Sequence, residues 1–77
     1  MVGTLSEKQE ELLSLFKDAI EREKEAQRFY ADTLFLCDDP SLKSILESLI
    51  KQEKQHEEQL IEIYNLLREK SEFADSA

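Results

Sequence analysis

One glycine, one proline and no tryptophan in 77 residues leave little with which to build turns or a large aromatic core. So few turn residues give room for about one tight connection, so long elements joined once are predicted. A single cysteine, Cys37, excludes an internal disulfide. The start, MVGTLSEKQEELL, lacks the apolar stretch of a secretory signal, and no run reaches the length of a membrane span. The expected compartment is therefore cytoplasmic, or something enclosed within the cytosol. Basic residues are scarce too: ten Lys and Arg stand against eighteen Asp and Glu, a formal net charge of −8. That charge would repel a phosphate backbone, so nucleic acid is not an expected partner, and with no run of membrane-span length neither is a membrane. It is compatible with attracting cations, and equally with plain solubility.

What the chain does contain is helical periodicity. Hydrophobic residues make up 40% and charged residues 36%, the balance of an all-α protein. Ser6 followed by Gln9 reads as a capping box, so a first helix is predicted over about 6–37. Along it Leu12, Phe16, Ala19, Glu23, Ala26, Tyr30, Thr33 and Cys37 alternate spacings of four and three, an a/d seam. Leu13, Ile20 and Leu34 widen that seam. Asp38, Asp39 and Pro40 break it, with Pro40 suited to the first position of a new helix and Asp39 to its cap. A second helix is predicted over about 40–70. Its seam is Leu42, Ile45, Leu49, Glu53, His56, Leu60, Ile63 and Leu67, widened by Leu46, Ile50, Ile61 and Tyr64. The last residues, 71–77, have no periodicity and are expected to fray.

The expected architecture is thus a single domain spanning 1–77, an antiparallel two-helix hairpin. Two helices cannot cover each other's apolar faces, and chains this short seldom bury enough surface alone. A homodimer closing a four-helix bundle is the economical solution, and larger homo-oligomers of such dimers stay open.

The seam carries one anomaly. KQEKQHEEQ, residues 51–59, is a run of nine polar residues between SLKSILESLI and LIEIYNLL, and it holds the only histidine. A matching interruption, EREKEAQR, occupies residues 21–28 of the first helix. In a hairpin folded about residues 38 and 39, Glu23 and Glu53 lie level, and His56 stands one turn on from Glu53. All three continue the phase of the apolar residues around them. Duplicated in a dimer, the layer holds four carboxylates and two imidazoles. Buried carboxylates must protonate, pair or bind a cation. Two divalent ions would neutralise four of them. A Glu on each of two helices plus Glu-x-x-His on each of the other two is the ligand set of di-iron bundles. EKQH alone is a weak motif in so acidic a chain, and the run could equally be a solvated face. A polar layer that fixes helix register is the remaining alternative.

These residues carry a family resemblance. EREKEAQRFY, with a Glu seven before a Tyr, together with EKQH, resembles the ferritin-like superfamily in its rubrerythrin branch. The encapsulated ferritins are the more closely similar group: short two-helix proteins that dimerise to build a ferroxidase centre. In them, too, the first ligand Glu precedes the Glu-x-x-His by thirty residues. CDDPSLKSILESLIKQEKQH also looks like that family's turn and second helix, and the resemblance spans roughly residues 10–68.

The resemblance implies a ferritin-like four-helix bundle with a di-iron site shared between two subunits. Glu23, Glu53 and His56 would be the iron ligands and catalytic residues, and Tyr30 a partner of the ligand carboxylates. Gln27, one turn from Glu23, could support them as well, whereas Glu57 is expected to point to solvent or a neighbouring hairpin. Glu25 fits the family's acidic site for incoming metal, although Arg22 stands where an acid is usual. Family members commonly carry a C-terminal peptide that docks them inside an encapsulin nanocompartment. SEFADSA does not look like one. The implied activity is oxidation of Fe(II) by dioxygen for iron storage or detoxification. Rubrerythrin-like peroxide reduction is one alternative, and a non-catalytic helical scaffold is another.

Overall fold

In the computed structural model, which describes residues 2–76 and the side chains of residues 7–70, the chain is two long helices. Helix α1 runs Val2–Leu36 and α2 runs Pro40–Ser76. Residues 37–39 connect them, so the helices lie antiparallel and form a slab 58 Å long, 15 Å wide and 11 Å thick. The all-α hairpin expected from the periodicity is what the chain forms. Among the described residues, no helix is long and apolar enough to cross a membrane.

The turn is built as its residue types dictate. Asp39 caps α2: its Oδ1 accepts the backbone N–H groups of Ser41 at 2.8 Å and Leu42 at 3.1 Å. Its carbonyl accepts Lys43 N–H at 2.9 Å, the first bond of the new helix. Pro40 opens that helix where its missing N–H costs nothing. At the other side, Cys37 N–H donates to Leu34 C=O at 3.1 Å, tightening the last turn of α1.

The helix bounds differ from those expected. Backbone helix begins at Val2, ahead of residue 6, and continues to Ser76, past residue 70. Ser6 therefore lies inside α1 rather than at its start. No proline follows Pro40, and Glu69, Lys70, Glu72 and Ala74 are good helix formers, so the backbone has no reason to stop at 70.

The two helices meet along a seam of buried and half-buried residues: Phe16, Ile20, Glu23 and Tyr30 of α1 against Leu46, Ile50, Glu53 and Leu60 of α2. Of the described hydrophobic residues only Ile20, 9% exposed, is buried. On α1 the expected seam is the one observed, except that Leu12 is exposed. On α2 the helix is rotated. The expected Leu46, Leu49, Ile50, Glu53, Leu60, Tyr64 and Leu67 are half-buried, joined by Glu57, whereas the expected Leu42, Ile45, His56, Ile61 and Ile63 are exposed, Ile45, His56 and Ile63 along one open flank. Both flanks of α2 are apolar, so periodicity alone could not say which would face α1.

Candidate metal centre

Glu23 and Glu53 stand on the seam of their helices at the same height, each flanked by apolar rungs. Their side chains are 22% and 20% exposed, far more sheltered than an ordinary surface glutamate. His56 follows Glu53 by three residues, which places it about 60° round the helix and on the open flank. It reaches back over the layer. Its Nδ1 lies 3.9 Å from Glu23 Oε2 and 3.9 Å from Glu53 Oε2, while the imidazole is 55% exposed.

These separations are too long for hydrogen bonds. They suit donors to a common ion: atoms about 2.0–2.2 Å from one metal lie roughly 3.0–4.2 Å apart. One donor atom from each of Glu23, Glu53 and His56 lies within 4.8 Å of the others, so closure by less than about 1 Å completes the set. Among the described residues, Glu23 Oε2 is the buried side-chain oxygen without a hydrogen-bond partner. An oxygen bearing carboxylate charge and shielded from water is costly unless a donor or cation reaches it. Two carboxylates and one imidazole form a hard-to-borderline donor set, suited to divalent iron, manganese, cobalt or zinc. The residues fit a bound cation.

The family model described as Rubrerythrin matches residues 2–70. The chain belongs to the rubrerythrin family. Membership places it among the ferritin-like proteins of di-iron type, in agreement with the donor set built between its helices. No curated protein and no solved structure gives a significant match to it.

The other expected residues of this rubrerythrin-family chain are less uniform. Tyr30 is half-buried on the seam and packs edge-on against Phe29, with ring centroids 5.7 Å apart at 72°. Gln27 is half-buried and donates from Nε2 to Glu57 Oε1 at 2.6 Å. Glu57, expected to point to solvent or a neighbouring hairpin, instead faces α1 and is half-buried. The reason is angular: position 57 is one turn on from Glu53 and on the same side of α2. That spacing was the available signal, but in a nine-residue polar run it does not stand out. Glu25 and Arg22 are both exposed and join no part of the cluster.

Proposed function

We propose that the chain is a ferroxidase, oxidising Fe(II) to Fe(III) with dioxygen at a di-iron site shared by two copies. The observation that carries this reading is the buried, unpartnered Glu23 Oε2 facing Glu53 and His56 across the hairpin groove. Glu23 and Glu53 would hold and neutralise the metals, and His56 would complete the coordination of each through a ring nitrogen. Oxidising two ferrous ions releases two electrons, which dioxygen can take up with two protons as hydrogen peroxide.

A second copy supplies the other half of the site in this reading. One hairpin has three ligand residues, half of the set described for di-iron bundles. His56 is on the open flank, and that flank is an apolar stripe. Leu12 at 43%, Leu15 at 57% and Phe29 at 66% exposure run along α1, beside Leu42 at 53%, Ile45 at 57% and Ile63 at 40% on α2. The face, 58 Å by 15 Å, runs the whole length of the hairpin, and a stable interface takes roughly 800 Å² per partner. A two-fold pairing of this stripe brings both ligand sets to the middle of a four-helix bundle. Assembly of such dimers into larger rings, or their enclosure in an encapsulin shell, belongs to the same reading. A slab 11 Å thick has no room for mineral, so storage would need a container.

Family membership favours one competing activity, reduction of hydrogen peroxide. Its electrons would come from outside these 77 residues, since one cysteine cannot form a rubredoxin-type iron site. Mixing the metal-free protein with ferrous iron in air separates the readings. A ferroxidase consumes oxygen and develops ferric absorbance. A peroxide reductase acts on added peroxide and is slow with oxygen, and a scaffold responds to neither.

A further inference from the structure

The bond between Gln27 and Glu57 lies beside the carboxylate layer, on the side away from His56. Gln27 is four residues beyond Glu23, and Glu57 four beyond Glu53. Four residues are one full turn plus about 40°, whereas the three from Glu53 to His56 fall about 60° short of one. His56 and the Gln27–Glu57 pair therefore flank the two ligand carboxylates from opposite sides. Exposure agrees, since His56 is exposed while Gln27 and Glu57 are both half-buried.

Helical side chains lean toward the N-terminus of their own helix. In an antiparallel pair, Gln27 thus leans back toward the height of Glu23, and Glu57 toward that of Glu53. The two meet near the layer, at 2.6 Å. This is where the hairpin most needs a tie. Two carboxylates face each other there, and no apolar rung pulls the helices together. A hydrophobic pair would press the helices but tolerate sliding. A short hydrogen bond does not, because a slip of one residue moves the helices by about 1.5 Å. The donor is also a neutral amide, in a chain with ten lysines and arginines. It satisfies the Glu57 carboxylate without cancelling its charge, so that charge still adds to the attraction for a cation.

We propose that Gln27 and Glu57 are positioning residues. Their bond holds α1 and α2 at the height and separation where Glu23 and Glu53 can grip one cation, and it closes the flank opposite His56. The inference rests on the metal-centre reading above and deepens it.

The test uses Co(II), whose visible absorbance reports coordination, titrated into the 77-residue chain with calorimetry alongside. Gln27→Met keeps length, helix propensity and net charge but removes the donor. It should weaken Co(II) binding about 10- to 100-fold, as loss of partners around metal ligands does, and change the absorbance spectrum. The double variant Gln27→Glu with Glu57→Gln keeps net charge and rebuilds the bond in reverse, and should bind nearly as the parent does. Should Gln27→Met fail to fold, the double variant decides alone: parent-like affinity supports the pair, and weak binding overturns it. Parent-like or tighter binding by Gln27→Met overturns the proposal, as does a lower melting temperature of the metal-free protein with unchanged affinity. If the parent itself binds no Co(II), the metal reading fails and takes this inference with it. If the parent binds and Gln27→Met binds equally well, only the positioning role is lost.

Discussion

His56 Nδ1 and Glu23 Oε2 stand 3.9 Å apart although they come from different helices and 33 positions separate them. The contact exists because α1 and α2 fold back about a three-residue turn at the right height. Glu53, one turn before His56, completes the group from the same helix. A trio of candidate ligands that spans two helices would tie metal binding to the hairpin itself. It also leaves His56 on the open face, where the proposed second copy would reach it.

Removal of a ligand should stop the proposed reaction. Glu53→Ala and Glu23→Ala are each expected to lower the initial rate of aerobic ferrous oxidation by at least about 100-fold, equivalent to roughly 2.7 kcal/mol. Oxygen-electrode traces indistinguishable from the parent's would remove the residue concerned from the site.

Metal should stabilise what it bridges. An ion present at 100 times its dissociation constant adds about 2.7 kcal/mol to the folded state, and its effect on melting should be larger if it also joins two copies. Melting curves with and without Mn(II) or Co(II), run with sedimentation velocity, check this. An unchanged melt and unchanged sedimentation speak for a scaffold.

Glu23 should trade stability against function. Its Oε2 is buried without a partner, which costs about 1–3 kcal/mol when no cation answers it, somewhat less here because the side chain is 22% exposed. Glu23→Leu is therefore expected to raise the melting temperature of the metal-free protein while abolishing the gain from added metal. A lower melting temperature in the metal-free state would show that the carboxylate already has a stabilising role.

The open flank gives a further test. Ile45, 57% exposed in one hairpin, lies in the stripe proposed to meet a second copy. Ile45→Glu would place an uncompensated charge in that interface, at a cost of about 3–5 kcal/mol. Sedimentation should shift to monomer, and helical circular dichroism should fall, because a lone hairpin has little core. A variant that remains dimeric would move the interface elsewhere.

The cap of α2 predicts a modest, separable effect. Asp39→Ala removes an acceptor for two backbone N–H groups and should cost about 1 kcal/mol. In a chain of this size that is a fall of about 4–8 °C in melting temperature. Asp38→Ala, at an exposed position outside the cap, serves as the control.

Several features were legible from residue order alone. The heptad phase through Phe16, Ala19, Glu23, Ala26 and Tyr30 fixed the inner face of α1, because a helix repeats its directions every 3.6 residues whatever packs on it. Asp39 before Pro40 located the turn and its cap through local chemistry. That turn then set Glu23 and Glu53 level. The helix ends were less legible, since nothing in MVGTLS or SEFADSA forbids backbone helix.

Packing decided the rest. Ile45 and Ile63 on one flank of α2 are as apolar as Leu46 and Ile50 on the other, so only the fit against α1 chose between them. That choice carried His56 to the open side and turned Glu57 inward to Gln27. Local sequence therefore determined where the helices lie and which residues share a height, because those follow from periodicity and a capped turn. The rotation of one helix about its axis, and with it the Gln27–Glu57 bond, needed the tertiary structure, because two near-equal faces are resolved only by what packs against them.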